Sequence, residues 1–187
     1  ASGSVGNDVA GVDNLIVRPA ARGLAGIEPG GGGAATSFGG TVATYANTNT
    51  RPAAPNIFSL EAWFNTTTTR GGEILGYAGG SAETGNDRSI YMSNAGRVFF
   101  EFVDGTPRAI GSAAGLNDGR WHHVVATQGA TGMSLYIDGV LVNSLAGVKP
   151  TSAYSAYFAV GGHPVGAGRP EAPTSDFFAG TIDNVAT

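Results

Sequence analysis

The sequence predicts an all-β fold, a two-sheet antiparallel sandwich of the jelly-roll kind. Three observations support this class: a high glycine content, short alternating apolar runs and turn residues between them. Of 187 residues, 31 are Gly and 9 are Pro, while hydrophobic side chains make up 42%, which is enough for a core. No window keeps a helical period of 3.6 residues over three turns, so helix is expected to be scarce. The length suits one domain.

Eight short apolar or alternating runs are predicted to be strands. They span 57–65, 88–93, 97–103, 121–127, 133–137, 140–145, 157–161 and 177–185. Short strands separated by turn residues are typical of a sandwich or jelly roll. Residues 36–187 are therefore assigned to the main body, and 1–35 to a loose lead-in of the same domain with one short strand at 15–17. The lead-in ends in Pro29 and four glycines, whose backbone entropy opposes regular structure.

Turn residues support hairpins at two places. Asp138-Gly139 lies between apolar runs, and Asp-Gly supplies the positive φ angles of a two-residue type I′ turn. Asn94-Ala95-Gly96 predicts a three-residue hairpin with Gly96 in the left-handed conformation. Both turns join strands that are adjacent in the chain, as in an antiparallel sheet.

Charge and composition exclude several classes. The chain has 10 basic and 14 acidic residues without a run of either sign, and binding to nucleic acid requires a basic face. No apolar stretch reaches the roughly 20 residues that span a bilayer. The chain has no Cys, which removes disulfides and thiolate chemistry from consideration.

Five motifs, in order, carry a family resemblance: FSLEAWF at 58–64, LNDGRWHHVVAT at 116–127, MSLYIDGV at 133–140, VGG at 160–162 and FAGTIDNV at 178–185. In this order they resemble LamG-like (laminin G-like) jelly rolls of the concanavalin A-like lectin/glucanase superfamily. The resemblance runs from about residue 34 and is nearest to copies in large secreted or surface proteins of bacteria. It implies a concanavalin A-like sandwich. The ends of the sequence, Ala1 and Thr187, are read as cuts in a longer chain. The family usually has a strand before the opening segment and a few residues after the last motif, and this sequence has neither. We therefore expect a missing partner strand, which leaves the fragment less stable or comes from a cleaved or neighbouring piece.

Catalysis is not expected. Glucanases of the superfamily are similar to one another in an E-x-D-x-E strand, which supplies separate acid and nucleophile carboxylates. Here Glu61 and Glu101 each have neutral residues two positions away on either side, and no G-x-S-x-G occurs. Trp63 and Trp121 stand where the family keeps packing residues, so both are predicted to pack.

A ligand site is predicted on the hairpin 88–103. If Val98, Phe100 and Phe102 face the core, as Ile90 and Met92 do across the turn, then Tyr91 and Glu101 face outward. The predicted patch consists of Asp87, Arg88, Tyr91, Glu101 and Arg108. The alternative is an ordinary solvated face with one ion pair, which contributes little to stability.

Two places in the sequence suggest metal ligands. His122 and His123 are adjacent on a strand and point to opposite faces, so they cannot grip one ion. The resemblance implies a structural Ca²⁺ at Asp183, with Asp8 and Asn7 as helpers. The alternative is that Asp183 caps backbone N–H groups of a neighbouring loop.

Three functions remain open. The first is a non-catalytic carbohydrate-binding or adhesion module of a larger extracellular protein, with a glycan or cell-surface polysaccharide and the other domains of that chain as partners. The second is a structural spacer or assembly domain with no small ligand. The third is a fragment of a glycan-active enzyme.

Overall fold

The computed structural model describes residues 15–17, 21–27, 34–79, 87–103, 105–150, 153–165 and 168–187. These residues form fourteen strands, and among them there is no helix long and apolar enough to cross a bilayer. The strands are β1 (Leu15–Val17), β2 (Ala21–Ala25), β3 (Ala34–Gly39), β4 (Ala46–Thr48), β5 (Phe58–Asn65), β6 (Gly72–Gly79), β7 (Asp87–Met92), β8 (Val98–Val103), β9 (Pro107–Gly111), β10 (Trp121–Gly129), β11 (Gly132–Ile137), β12 (Val140–Ala146), β13 (Ala156–Val160) and β14 (Ala179–Ala186).

The strands make two seven-stranded antiparallel sheets. The first sheet has the order β1-β4-β13-β6-β7-β8-β9, and the second has the order β12-β11-β10-β5-β14-β3-β2. Every strand pair is antiparallel, although neighbours in a sheet are often distant in sequence, as β5 and β14 are. This arrangement confirms the all-β, two-sheet antiparallel jelly-roll sandwich predicted from the sequence.

The core lies between the sheets and follows the predicted alternation. Phe64 of β5, Phe100 of β8 and Phe178 before β14 are fully buried, and the Phe64 and Phe178 rings meet edge to face at 6.3 Å. Ile90, Met92, Val98, Phe100 and Phe102 all belong to this core, as predicted for the hairpin. Burying side chains of this size stabilises the fold by about 1.5–3 kcal/mol each.

Both predicted hairpin turns are confirmed. Asp138 and Gly139 have φ angles of 52° and 79°, as a type I′ turn requires. Gly96 has a φ of 72°, and Ser93 N–H donates to Arg97 O at 2.8 Å to close the three-residue loop.

Five strands were not predicted: β2, β3, β4, β6 and β9. The clearest case is β6, in which Gly72, Gly76 and Gly79 conceal the strand pattern. Gly76 is needed there because a Cβ would lie 2.6 Å from Ser89 Cβ on β7. The short strand at 15–17 was predicted, and β1 and β2 each pair within a sheet, with β4 and β3 respectively. Residues 29–33 lie outside the described part.

The expectation that the last strand lacks a partner is wrong. Strand β14 pairs with β5 on one side and with β3 on the other. Its backbone groups therefore find partners within this chain, and no second chain is needed to complete the sheet at this position.

Candidate functional site

The outer face of the first sheet is covered by a segment that we call the cap segment, residues 163–165 and 168–177. Glu73 N–H on β6 donates to Asp176 O at 3.2 Å, and Ser175 N–H donates to Arg70 O at 3.1 Å. Arg97, before β8, forms a half-exposed ion pair with Glu171 at 3.2 Å. Hydrogen bonds and an ion pair therefore hold the cap segment against β6 and against the residues just before β6 and β8.

Tyr91 and Phe99 lie beneath the cap segment. Their rings stack with centroids 5.1 Å apart, and Val165 packs against them. The Tyr91 hydroxyl donates to Pro170 O at 2.7 Å. Gly111 on β9 leaves room for the Phe99 ring, since a Cβ there would lie 2.7 Å from Phe99 Cε1. Burial, with the nearby Glu101 carboxylate, raises the pKa of Tyr91 well above its ordinary value.

Glu101 and Arg169 form a buried ion pair next to this stack. Arg169 Nη1 lies 2.6 Å from Glu101 Oε1, with the side chains 6% and 0% exposed respectively. Arg169 Nη1 also donates to Ser89 Oγ at 3.3 Å, and its guanidinium lies 6.0 Å from the Tyr91 ring centre. The cluster therefore combines an aromatic pair with a carboxylate and a guanidinium.

The structure brings together part of the predicted patch. Tyr91 and Glu101 share the outer face, as predicted, but both are fully buried under the cap segment and not solvated. Their predicted role in ligand binding stays a prediction. No local pattern predicts this cover, because it comes from residues more than 60 positions away in the chain.

Arg88 and Arg108 do not join Tyr91 and Glu101. Arg88 has a φ of 64° and is fully buried, where its Nε donates to Pro55 O at 2.6 Å. Its Nη2 donates to Asn56 Oδ1 at 2.8 Å. Arg108 pairs in register with the core residue Phe102 and so starts from the inner face of the sheet. Asp87 begins β7, and its side chain lies outside the described part of the structure.

His163 belongs to the cap segment and is largely buried. Burial lowers its pKa, because the charged imidazolium loses water, and this outweighs the opposite effect of the nearby Asp176 carboxylate. The imidazole is therefore held in its neutral form over a wider pH range than a free histidine.

A second constellation, which was not predicted, lies on the outer face of the second sheet. Trp63 on β5 pairs in register with His123 on β10, and their rings stack at 4.6 Å with an interplanar angle of 16°. His123 Nε2 lies 2.8 Å from Glu61 Oε1. The Glu61 and His123 side chains are 44% and 21% exposed, and Trp63 is partly exposed as well.

The same face continues over the neighbouring strands. Val125 on β10 lies between Glu61 on β5 and Tyr136 on β11, in register with both. We call the five residues Glu61, Trp63, His123, Val125 and Tyr136 the Trp63 face; all are partly exposed. The sequence signal was present, because alternation placed Trp63 with Ser59 and Glu61 on the polar side. The family pattern favoured packing instead.

His122 points to the other side of the sheet from His123, as alternation predicted. Its ring lies 5.7 Å from that of the core residue Phe64. Nδ1 lies 2.9 Å from Asp138 Oδ2, and Nε2 lies 3.2 Å from Asp118 Oδ1. The hydrogen bond from Arg120 N–H, aided by His122, lowers the pKa of the exposed Asp118. These contacts fix the end of β10 to the β11–β12 turn.

Asp183, the predicted calcium ligand, is held by backbone N–H groups in the described part of the structure, and a calcium site there stays a prediction. Asp183 is buried, with Oδ2 accepting from Ile27 N–H at 3.0 Å and Oδ1 from Asn184 N–H at 2.9 Å. Within the described ranges no three His, Cys, Asp or Glu side chains cluster as metal ligands, although Ca²⁺ takes six to eight oxygens. Asp8 and Asn7, the predicted helpers, lie outside those ranges. The geometry matches the alternative in which Asp183 caps backbone N–H groups.

The fold is a two-sheet antiparallel sandwich, and each sheet carries a stacked aromatic pair with a carboxylate on its outer face. Residues 38–187 match a laminin G family model, described as Concanavalin A-like lectin/glucanases superfamily. The chain therefore belongs to this family, as the sequence motifs indicated. Comparison with curated proteins found no match.

Solved structures with the same fold include a domain of an arabinanase, a carbohydrate-binding module and a sialidase. Domain 4 of an extracellular GH43 arabinanase from Geobacillus stearothermophilus, in complex with arabinotriose, has a TM-score of 0.57 at 17% identity, covering 89% of this chain and 73% of that one. The carbohydrate-binding module CBM66 from Bacillus subtilis has a TM-score of 0.53 at 12% identity, covering 94% and 96%. A Trypanosoma rangeli sialidase, in complex with the inhibitor DANA, has a TM-score of 0.60 at 19% identity, covering 91% of this chain and 26% of the sialidase.

Proposed function

We propose that this chain is a non-catalytic carbohydrate-binding module that binds a neutral glycan on the Trp63 face. The observation that carries the proposal is the partly exposed Trp63–His123 stack with the Glu61 carboxylate beside it. Sugars place their C–H faces against aromatic rings and their hydroxyls against carboxylates and imidazoles. The Trp63 face offers both kinds of group on rigid, paired strands.

The charge of this face favours a neutral ligand. None of the strands β5, β10, β11 and β14, which form the middle of the second sheet, contains a Lys or Arg. A carboxylated or sulfated sugar would find no Lys or Arg on these four strands and would meet Glu61. Neutral hydroxyls can donate to the Glu61 carboxylate, and such a charge-assisted bond contributes about 1.5–3 kcal/mol.

Two structures of the same fold support the proposal, because one holds arabinotriose and the other is a carbohydrate-binding module. The arabinanase is extracellular, which supports an extracellular location and a place in a larger secreted or surface protein. Each of the two outer-face clusters holds one carboxylate with a cationic or imidazole partner: Glu61 has His123, and Glu101 has Arg169. Retaining glycosidases instead place two carboxylates about 5–5.5 Å apart, so this pairing favours binding over hydrolysis.

Trp63 provides the test. The chain has two Trp and six Tyr residues, so Trp121→Phe leaves Trp63 as the single tryptophan, which can be excited selectively at wavelengths that tyrosine does not absorb. In this background we expect neutral oligosaccharides, beginning with arabinotriose, to change Trp63 emission in a saturable way. The anionic probe sialyllactose should not. Glu61→Gln should weaken binding at least about tenfold, the loss expected for one charged hydrogen bond.

Two control variants locate the site. Ser59→Ala, on the same strand and exposed, should bind as the parent does. Glu101→Gln alters the buried cluster of the first sheet and should also leave binding unchanged once folding is verified. If Glu101→Gln lost binding while Glu61→Gln bound normally, the ligand site would lie on the first sheet and not on the Trp63 face. Absence of binding across a panel of neutral glycans would reject the function itself.

A further inference from the structure

Strand β12 forms an exposed edge of the second sheet. It is hydrogen-bonded to β11 on one side and ends the strand order on the other, among the described residues. All seven of its residues are exposed. Val140, Leu141, Val142 and Leu145 are 63%, 52%, 40% and 37% exposed, which puts four of the seven large exposed hydrophobic side chains of the described part on one strand.

The other three sheet edges carry features that oppose strand addition. Strand β9 begins with Pro107, which has no N–H to donate, and continues with Arg108; β2 contains Arg22; and β1 is only three residues long. Charged residues, proline and short length are the usual means by which edge strands avoid pairing. Strand β12 contains neither charge nor proline in its sequence, 140–146, and is seven residues long; its one irregularity is a bulge at Val142, where the register against β11 shifts between Leu135 and Tyr136.

We propose that β12 is a self-association edge, along which a second copy of this chain pairs antiparallel to the first. A partner of a different kind would be selected by charge or by a shaped pocket, and β12 has no charge to offer. A second copy suits it, because antiparallel pairing sets the apolar half at 140–142 beside the uncharged half at 144–146. No like charges meet, and the exposed valines and leucines lose water.

One side chain competes with this pairing. Asn143 Nδ2 donates to Gly111 O on β9 at 3.0 Å, and Asn143 Oδ1 accepts from Ser144 N–H at 2.9 Å. One backbone donor of the edge is thus already satisfied at the middle of the strand. A single pair of strands also buries less than the roughly 1,200 Å² of a stable interface. Association is therefore expected to be weak, with a dissociation constant of about 10 µM to 1 mM.

Sedimentation of the intact chain over about 1 µM to 2 mM tests the proposal. The weight-average mass should rise from the 18.8 kDa of the monomer towards twice that value. Val140→Lys should remain monomeric, because a charged lysine on the edge strand opposes pairing and would have to lose water against the uncharged end of the partner's strand. The matched control Val42→Lys, at a 69% exposed valine outside the strands, should associate as the parent does.

Hydrogen exchange at low and high protein concentration assigns the interface. Amides of 140–146 should become more protected at high concentration, and those of β9 should not. A parent chain that stays monomeric up to about 2 mM, or a dimer that Val140→Lys and Val42→Lys affect equally, would overturn the proposal. Protection confined to another strand would overturn it as well. None of these measurements depends on glycan binding, so the two proposals fail separately.

Discussion

Arg169 Nη1 lies 2.6 Å from Glu101 Oε1, and both side chains are buried between the first sheet and the cap segment. This pair joins residues 68 positions apart in the chain. A charge left alone at such a depth is costly, whereas an exposed pair contributes little. The cap segment has both kinds, because Glu171 forms its half-exposed pair with Arg97.

The same substitution in the two pairs should therefore have different costs. Glu101→Gln leaves the Arg169 guanidinium buried without its carboxylate and should lower the free energy of unfolding by about 3 kcal/mol or more. Glu171→Gln should lower it by at most about 1 kcal/mol. Denaturant unfolding measures both. Equal costs would mean that the Glu101–Arg169 pair does not hold the cap segment.

Stability should fall at alkaline pH because of Tyr91. Burial raises the pKa of its hydroxyl in the folded state, while the unfolded chain ionises near its ordinary value of about 10. The unfolded state therefore releases the proton first, and the free energy of unfolding falls as the pH rises above about 10. Tyr91→Phe should show a smaller fall between pH 9 and pH 11, measured by urea unfolding. Tyr77, whose pKa burial also raises, accounts for a remaining part.

Stability should also fall in weak acid because of His163. Burial lowers its pKa in the folded state, so the unfolded chain binds the proton first as the pH falls below about 6.5. The free energy of unfolding therefore begins to fall at about pH 6.5 and stops falling only below the pKa of His163 in the folded state. His163→Gln should flatten the pH dependence of unfolding between pH 7.5 and pH 5.5. An unchanged slope in this variant would show that His163 is accessible to protons in the folded chain.

Gly161 and Gly139 have nearly the same φ angle but different surroundings, so substituting each by Ala distinguishes the cost of backbone strain from the cost of a steric clash. Gly161 has a φ of 78° and Gly139 a φ of 79°. A Cβ at Gly161 would lie 2.3 Å from Phe38 Cδ1, whereas nothing lies within 4 Å of one at Gly139. Gly139→Ala should cost about 1–2 kcal/mol from backbone strain alone. Gly161→Ala should cost at least about 1 kcal/mol more, because the Phe38 ring must move in a packed core.

Strands with alternating apolar side chains could be predicted from the sequence, and those without them could not. The bounds predicted around Phe64, Phe100 and Ile182 agree with β5, β8 and β14 within about two residues. Strand β6 was not predicted because its glycines interrupt the apolar alternation. Gly76 is needed for close packing against β7, and this tertiary contact leaves no local pattern in the sequence. Strand β9 was missed because Pro107 and Arg108 are typical of turns and edges.

The candidate site shows the same division. Alternation placed Tyr91 and Glu101 on the outer face, and it separated His122 from His123. It could not reveal that Arg169 and Pro170 cover Tyr91, because that contact depends on where a distant loop crosses the sheet. The Trp63–His123 stack likewise required the register of β5 against β10, which only the folded chain supplies.

Strand β12 belongs to the same sheet as β5, and three strand spacings separate the two. Antiparallel pairing about a two-fold axis perpendicular to the sheet keeps both copies facing the same way. Two Trp63 faces would then lie side by side, seven spacings or about 34 Å apart. A polysaccharide long enough to reach both Trp63 faces could stay bound to one while it released the other. Pairing of two copies through β12 would therefore raise the avidity of a module whose single site binds weakly.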